Sequence, residues 1–394
     1  MRELIHEMNP WWEKELEFVG VKRPKYLSFL EKNTGNKEVI LITGLRRVGK
    51  STILKQYIYQ LIRTKQISPQ KICYLSLDAY LFNDYSIIEL VREFRKINNL
   101  GIDEKIYLFL DEVTAKESFK QELKNLYDLG QTKIFASSSS ASLLIDKKAY
   151  LTGRSRLLIV EPLDFDEFLL FKQLSPKKSE GYLLESHFKK YLELGGLPEY
   201  VLTEDPTYIT NLVNNIIYKD IIAFHNIKNI TLVIDLFRLL CERVGKQVSY
   251  NKLSHVLNTT KDTIKKYIGY FVDSYLFSII EKDAKSMNER VADNKKIYCA
   301  DVGIKNVTVG FRDLGAIYEN LVFLRIKHKN PRYFKKDGLE IDFRFDQYLI
   351  EAKYNSKLNP KQAKLFESIK IKNKIVAQGV DFFTEELEIE KFLG

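Results

Sequence analysis

One eight-residue stretch near the start of the chain limits the possible fold more than any other feature. The sequence GLRRVGKS, residues 44–51, fits the pattern G-x-x-x-x-G-K-[ST] in full. The apolar run VILIT precedes it, and the amphipathic stretch STILKQYIYQLI follows it. A strand, a glycine-rich turn and a helix in this order present backbone N–H groups to phosphate at a helix N-terminus. The pattern therefore predicts a P-loop in an α/β fold.

The loop and the residues after it form the predicted nucleotide site, with ATP and Mg²⁺ as cofactors. Lys50 is expected to contact the β- and γ-phosphates, and Ser51 is expected to coordinate Mg²⁺. The predicted nucleotide-binding residues are Gly44, Arg47, Val48, Gly49, Lys50, Ser51 and Thr52.

Two further strand ends carry polar groups that suit such a site. The apolar run YLFL ends in Asp111 and Glu112. Asp111 is expected to hold the Mg²⁺ shell and Glu112 to polarise the attacking water. The next strand, KIFAS, ends in four serines, residues 137–140, which either sense the γ-phosphate or form a plain polar loop.

The order of predicted elements divides the 394 residues into several domains, since the chain is too long for one ordinary core. Alternating strands and helices up to about residue 160 predict a parallel sheet covered by helices. Farther on, three amphipathic helices followed by two strands predict a winged helix. The predicted domains are an ATPase core with an N-terminal arm (1–165), a helical lid (166–228), a winged helix (229–312) and a nuclease-like α/β domain (313–394).

The last domain resembles the PD-(D/E)XK nuclease core in element order. Glu319 lies on its opening helix, Asp342 on its second strand, and Glu351 and Lys353 share a face of the third. These carboxylates could bind Mg²⁺ while Lys353 orients the water that attacks a phosphodiester. Gln362, on the next helix, lies where related enzymes often place a polar residue. An inactive domain that kept this fold for binding explains the same residues.

Charge and composition bear on partners and location. The formal net charge of +10 suits DNA, although a solvated Lys-rich surface would give the same value. Lys261, Lys265 and Lys266 on the predicted recognition helix could contact phosphates, or the winged helix could dock a protein. The three cysteines are far apart, which predicts buried thiols in a reducing compartment. Neither a signal peptide nor a membrane-spanning run is evident, so we expect a cytoplasmic protein without a membrane partner.

Taken together, the motifs resemble an AAA+-type ATPase family widespread in archaea and bacteria. In that family the ATPase is followed by a winged-helix region and the domain of unknown function 4143. The segments that carry the resemblance are LITGLRRVGKS, FLDE, LTGR with EPLDFDEFL, GGLPEY, YKDI and KKIYCADVGIKN, and NPWW resembles many archaeal members.

The resemblance implies roles for individual residues. It gives Asp111 and Glu112 as the Walker B pair, Ser138 as a sensor, and Arg154 as a finger that reaches a neighbouring subunit. The last role implies a homo-oligomer. The chain departs from the family at ASSSS, where a Thr-Gly-Ser order is usual, and this leaves the identity of the sensor serine open.

The leading hypothesis is an oligomeric Mg²⁺-dependent ATPase that acts on, or docks to, DNA through its winged-helix and nuclease-like domains. One alternative is an ATP-regulated, metal-dependent DNA nuclease. The other is a signalling switch of the STAND type, in which slow ATP turnover controls binding of a protein partner.

Overall fold

The computed structural model describes residues 1–140, 151–176, 180–284 and 286–384. The chain forms two compact units, Met1–Glu161 and Pro162–Gly394, and each is described by itself. Among the described helices, none combines the length and the apolar character needed to cross a bilayer.

The first unit is built on a sheet of five strands that all run parallel. Its strands are β1 (Val39–Thr43), β2 (Ile72–Ser76), β3 (Ile106–Asp111), β4 (Thr132–Ser138) and β5 (Ser155–Ile159). The order across the sheet is β2-β3-β4-β1-β5. All residues of β1, β3 and β4 are buried, as expected where helices cover both faces of a parallel sheet. The predicted α/β fold with a parallel sheet is therefore confirmed.

The described part of the first unit also contains five helices. Phe109 of β3 stacks on Phe135 of β4 with ring centroids 4.7 Å apart, and Tyr57 packs edge-on against Phe135. These aromatic contacts fix one helix over the centre of the sheet. The helices are α1 (Arg2–Met8), α2 (Pro24–Thr34), α3 (Lys50–Arg63), α4 (Ile87–Ile97) and α5 (Phe119–Leu129).

The N-terminal arm covers the edge strand β2. The Asn9 side chain accepts from the Tyr74 backbone N–H at 2.6 Å and donates to the Tyr74 carbonyl at 2.9 Å. The indole N–H groups of Trp11 and Trp12 both donate to the carbonyl of Ile72. Side chains of the arm thus take the hydrogen bonds that a further strand would make.

The second unit begins with helices and carries two separate sheets. Its helices up to residue 309 are α6 (Phe165–Phe171), α7 (Gly181–Leu194), α8 (Pro198–Thr203), α9 (Pro206–Asn215), α10 (Ile230–Glu242), α11 (Tyr250–Val256), α12 (Lys261–Asp273), α13 (Met287–Ala292) and α14 (Val302–Val309). A π-helix, Ile216–Ala223, follows α9 and contains the YKDI segment. The region predicted as a lid is helical, and its role as a lid stays a prediction.

A small antiparallel sheet is formed by one short strand between α10 and α11 and by two strands that follow α12. Its strands are β6 (Gln247–Val248), β7 (Phe277–Ile280) and β8 (Lys295–Cys299), in the order β6-β8-β7. The two strands expected from the sequence are β7 and β8, and β6 is an additional strand of two residues. Assignment of this region to the winged-helix class stays a prediction.

The C-terminal sheet has four strands in the order β12-β11-β10-β9. Three strands are antiparallel neighbours, and β12 runs parallel to β11. The order helix, three strands, helix, strand is the one predicted, whereas the nuclease-like assignment itself is untested. The elements are α15 (Leu314–Ile326), β9 (Arg332–Lys336), β10 (Leu339–Phe345), β11 (Tyr348–Lys353), α16 (Pro360–Ser368), β12 (Asn373–Gln378) and α17 (Asp381–Thr384).

A buried aspartate joins α14 to the GGLP turn that follows α7. Asp301 caps α14 by accepting from the Gly303 N–H at 2.8 Å, and it also accepts from the Gly196 N–H at 2.6 Å. A Cβ on Gly196 would lie 2.1 Å from the carbonyl oxygen of Leu163, so only glycine fits there. Burial raises the pKa of Asp301 to about 6.

Candidate functional site

The loop between β1 and α3 has a backbone that requires glycine at two positions. Gly44 has a φ of +140°, and a Cβ there would lie 2.1 Å from the carbonyl oxygen of Val160. Gly49 has a φ of +96° and directly precedes the first residue of α3. The glycines of the motif therefore allow the loop to fold closely before the helix N-terminus, where phosphate binding is favoured.

Lys50 lies inside this loop. Its side chain is buried, and Nζ donates to the carbonyls of Gly44 and Leu45, both at 3.0 Å. Ser51 and Thr52 follow in the first turn of α3 and are half-buried. Lys50, Ser51 and Thr52 thus lie together at the N-terminus of α3, and their binding role stays a prediction.

Arg23 supports the loop from outside and was missed by the sequence reasoning. Its guanidinium is buried and donates to the carbonyls of Val48 and Glu161, each at 2.9 Å. It also lies 4.5 Å from the centroid of the Tyr26 ring. Arg23 is 25 residues from Val48 along the chain, and no local motif marks it.

Asp111 ends β3 with its carboxylate held from both neighbouring strands. The Tyr74 hydroxyl of β2 donates to Oδ2 at 2.6 Å, and the Ser137 hydroxyl of β4 donates to Oδ1. Burial, together with the charge of Asp111, raises the pKa of Tyr74 far above its usual value, so the phenol remains a donor. Tyr74 was missed by the sequence reasoning because nothing in β2 alone points to Asp111.

Glu112 follows in a left-handed backbone conformation, with a φ of +51°. This conformation costs on the order of 1–3 kcal/mol for a non-glycine residue and is often found at functional sites. Its Oε2 accepts from the N–H of Ser139 at 3.4 Å and from its hydroxyl at 3.3 Å. Burial raises the pKa of Glu112, and the positive charge of Lys50 acts in the opposite direction. A carboxylate with a raised pKa is suited to accept a proton.

The serines after β4 divide between different partners. Ser137 and Ser139 contact Asp111 and Glu112, whereas the Ser138 hydroxyl lies 3.1 Å from the Thr114 hydroxyl. The sensor role of Ser138 remains a prediction. Ser137 and Ser139 are the serines whose hydroxyls donate to the two carboxylates.

Arg154 lies at the opposite end of the strands from the loop. β1 and β5 are parallel, with Val39 beside Ser155 and Thr43 beside Ile159. Arg154 precedes the start of β5, whereas the loop follows the end of β1, so about five residues of strand, on the order of 16 Å, separate them. Its Nε is 3.5 Å from Oδ1 of Asp128. This position keeps Arg154 away from the loop of its own chain.

Polar residues of the C-terminal sheet form a second candidate site. The Asp342 N–H donates to Oε2 of Glu351 at 3.1 Å, and the Ala352 N–H donates to Oδ2 of Asp342 at 3.0 Å. Lys353 Nζ and Gln362 Nε2 both donate to Oε1 of Glu351, at 2.7 and 2.5 Å. The residues predicted on β10, β11 and α16 are therefore brought together.

A lysine of β8 completes this carboxylate cluster, which we define as Glu319, Glu340, Asp342 and Glu351. Lys296 Nζ lies 2.7 Å from Oε1 of Glu319, 2.7 Å from Oε1 of Glu340 and 3.1 Å from Oδ1 of Asp342. Its side chain is 1% exposed. Burial opposes the charge of Lys296, but Glu319 and the other carboxylates raise its pKa well above the usual range.

The carboxylates of this cluster are themselves shifted. Burial, and then the charge of Asp342, raise the pKa values of Glu319 and Glu351. Within the described residues, no group of three or more His, Cys, Asp or Glu side chains is arranged to hold a metal ion. The predicted metal site at Glu319, Asp342, Glu351 and Lys353 stays a prediction.

Two family models match the chain. Residues 36–169 match an AAA domain. Residues 185–314 match a domain of unknown function, DUF8612. Together with the sheet and the loop, the first match shows that this part of the chain has the fold of an AAA-type P-loop ATPase. The resemblance of the C-terminal region to the domain of unknown function 4143 stays a prediction.

Two relatives align with most of this chain. An uncharacterized protein of Haemophilus influenzae is 26% identical, over 82% of this chain and 83% of that protein. An uncharacterized protein of Methanocaldococcus jannaschii is 29% identical, over 78% of this chain and 71% of that protein.

Solved structures show a distant likeness. A Walker-type ATPase of Pyrococcus abyssi is 17% identical, covers 75% of this chain and 99% of its own, and gives a TM-score of 0.45. The RuvB Holliday junction branch migration motor of Thermotoga maritima is 14% identical, covers 66% and 89%, and gives a TM-score of 0.34. Likeness at this level does not define a function.

Proposed function

We propose that this protein is a Mg²⁺-dependent ATPase of the AAA+ type that works as a homo-oligomer and docks to DNA. The observation that carries the proposal is the position of Glu112. Glu112 is half-buried, its carboxylate accepts a hydrogen bond from the Ser139 hydroxyl, and the positive charge of Lys50 in the phosphate loop opposes the rise of its pKa. A base held beside a phosphate-binding loop is the arrangement that nucleotide hydrolysis requires.

The residues of the first unit have separate roles in this reaction. Lys50 neutralises charge on the β- and γ-phosphates, and Glu112 accepts a proton from the attacking water. Ser51 and Asp111 offer the hydroxyl and carboxylate oxygens that Mg²⁺ prefers, and bound Mg²⁺ would neutralise phosphate charge. Tyr74 and Ser137 hold Asp111 in one orientation through its two oxygens.

Arg154 is the reason for proposing an oligomer. It lies at the end of the strands away from its own loop, and its side chain is 35% exposed. An arginine that reaches a neighbouring subunit's γ-phosphate would stabilise transition-state charge there. In that step it exchanges its contact with Asp128 for the phosphate.

Charge distribution supports docking to DNA through the second unit. Residues 327–374 contain thirteen Lys and Arg against six Asp and Glu, which is most of the net charge of +10. Lys261, Lys265 and Lys266 are exposed on α12. Phosphate contacts of this kind position a duplex without reading its sequence. Neither alternative function is favoured by a specific observation on the described residues.

Steady-state ATP hydrolysis with and without DNA tests the proposal. Lys50→Ala and Glu112→Gln should each lower kcat by at least about 100-fold, because each removes a group that acts on the reacting phosphate. Lys65→Ala is the matched control, since Lys65 is an exposed lysine just beyond the far end of α3 that pairs with Glu31. Full turnover by Glu112→Gln would contradict the assignment of the base.

The same preparations test the DNA part separately. Affinity for duplex DNA should fall steeply with salt, since each phosphate contact releases counterions. The double variant Lys261→Glu, Lys265→Glu should bind every duplex sequence more weakly. It should also reduce the slope of the logarithm of the binding constant against the logarithm of salt concentration by about 2. If the protein does not bind DNA and DNA does not change the rate of ATP hydrolysis, DNA is excluded as the partner. The ATPase assignment would be unaffected by that result.

A further inference from the structure

The carboxylate cluster of the C-terminal sheet already contains a cation that belongs to the protein. Lys296 is supplied by β8 of the three-stranded sheet, whereas Glu319 lies on α15 and Glu340 and Asp342 lie on β10. We propose that the Lys296 ammonium takes the place of a divalent metal ion in this cluster, so that the cluster joins the two sheets and does not cleave nucleic acid.

Each N–H donor of the Lys296 ammonium group has a hydrogen-bond acceptor. An ammonium group has three N–H donors and no acceptor. Lys296 Nζ has three carboxylate oxygens within 3.1 Å, one each from Glu319, Glu340 and Asp342. The buried ammonium therefore has one carboxylate for each donor, which is the condition under which a buried charge is tolerated.

The carboxylate oxygens are also committed to other donors. Oε1 of Glu319 accepts from the Tyr298 hydroxyl at 2.7 Å, from the same face of β8 that carries Lys296. Both oxygens of Asp342 and both oxygens of Glu351 accept hydrogen bonds within the cluster. A divalent ion would have to displace several of these donors at once.

The Lys296 ammonium and a metal ion cannot occupy the carboxylate cluster at the same time, because both are positively charged. Both would need Glu319 and Asp342, and two cations that share the same buried carboxylates repel each other strongly where the dielectric constant is low. Metal binding at this cluster therefore requires that Lys296 withdraw. The burial of Lys296, with 1% of its side chain exposed, opposes withdrawal into solvent.

Neighbouring contacts fix β8 against the C-terminal sheet region, so that Lys296 is held in place. The side chain of Asn320 accepts from the Cys299 N–H at 2.7 Å and donates to the Cys299 carbonyl at 2.9 Å. Gln247 of β6 donates to Glu340 and accepts from Lys335 Nζ. The cluster is therefore the centre of a polar joint between two sheets.

Manganese titration of the nucleotide-free full chain tests the proposal, with free Mn²⁺ followed by its electron paramagnetic resonance signal. Wild type and Asp342→Asn should bind Mn²⁺ equally, because the cluster does not take the ion. Lys296→Gln should gain one site, with a Kd at least tenfold lower than any site of the wild type. Adding Asp342→Asn to Lys296→Gln should abolish that site.

Two controls accompany the titration. Lys335→Gln removes a nearby positive charge that contacts Gln247 rather than the cluster carboxylates, so it should gain no site. Lys296→Arg keeps a cation in the cluster and should also gain none. Nicking of supercoiled plasmid in Mg²⁺ or Mn²⁺ buffer should be absent for the wild type.

Three results would overturn the proposal. The first is an Mn²⁺ site in the wild type that Asp342→Asn removes, and this comparison decides the matter even if Lys296→Gln does not fold. The second is a folded Lys296→Gln protein that gains no site. The third is plasmid cleavage by the wild type that Asp342→Asn abolishes. None of these results depends on ATP turnover, so the proposed ATPase function is tested independently.

Discussion

Hydroxyl groups from neighbouring strands determine how the two carboxylates at the end of β3 are presented. Asp111 receives one hydroxyl from Tyr74 and one from Ser137, and Glu112 contacts Ser139. Each hydroxyl restricts the rotation of a carboxylate that is expected to act on a metal ion or a water. Adjacent serines at one strand end can therefore have very different effects on catalysis.

Alanine substitution at two of these serines should separate their roles. Ser137→Ala removes a donor to Asp111 and an acceptor for the Glu112 N–H. We expect it to lower kcat by roughly 10- to 100-fold with little change in KM for ATP. Ser138→Ala loses only a hydroxyl contact with Thr114 and a local turn contact, and should stay within about threefold of wild type. Steady-state hydrolysis measures both, and a larger loss for Ser138→Ala would instead identify that residue as the sensor.

The sequence was a good guide to the residues that lie inside a local motif. The loop residues and the carboxylate pair could be predicted because each stands in a short pattern whose chemistry depends on spacing. Arg23, Tyr74 and Lys296 could not be predicted, because their contacts join positions 25, 37 and 46 residues apart. No local pattern marks these three residues, because the carbonyl and carboxylate groups that they contact become their neighbours only in the folded chain.

At the scale of elements, α14 depends on a capping residue that also holds the turn after α7. Asp301 accepts from Gly303 within its own helix and from Gly196 across the contact. Its burial raises the pKa from an ordinary value near 3.8 to about 6. Between these two pH values the folded protein binds more protons than the unfolded chain, so this group lowers stability as the pH rises.

Asp301→Asn should remove that pH dependence. The stability of wild type minus that of the variant should decrease by about 3 kcal/mol between pH 3.5 and pH 7, from a shift of roughly two pKa units. Denaturant unfolding of both proteins at several pH values gives this difference, in which the other carboxylates cancel. A difference that is constant with pH, or that grows as the pH rises, would contradict the assigned shift.

Helices and strands with clear periodicity were predictable, and short or irregular ones were not. The five parallel strands are apolar runs that end in polar residues, and this pattern can be recognised without knowledge of the tertiary structure. β6 has two residues, too few for any period, and it forms because Gln247 and Val248 pair with β8. The π-helix at Ile216–Ala223 carries no sequence signature that distinguishes it from an α-helix.

At the scale of the whole molecule, the sequence predicted four domains and the chain forms two compact units. The division of residues 166–394 into a helical lid, a winged helix and a nuclease-like domain remains a prediction. The boundary placed near residue 313 falls between elements that share buried ion pairs, such as Lys296 with Glu319. Such contacts join regions that composition alone would separate.

Mixing two inactive variants should restore ATP hydrolysis if Arg154 acts on a neighbouring subunit. Arg154→Ala keeps its own loop and Glu112, and Glu112→Gln keeps Arg154. Arg154→Ala alone should lower kcat by about 1,000-fold, and Glu112→Gln alone should lower it by at least about 100-fold. Mixed oligomers would contain interfaces with an intact base and an intact arginine, so hydrolysis should rise well above that of either variant. Turnover after subunit exchange measures this, and no recovery despite proven exchange would exclude action between subunits.

The N-terminal arm has a consequence for handling this protein. β2 is the outer strand of a parallel sheet, and Asn9, Trp11 and Trp12 occupy its outward-facing hydrogen-bonding groups. Removing residues 1–12 would leave a strand edge with unpaired N–H and C=O groups, which is a template for another chain to add a strand. A truncation meant only to simplify expression would therefore expose the edge of β2 and favour aggregation.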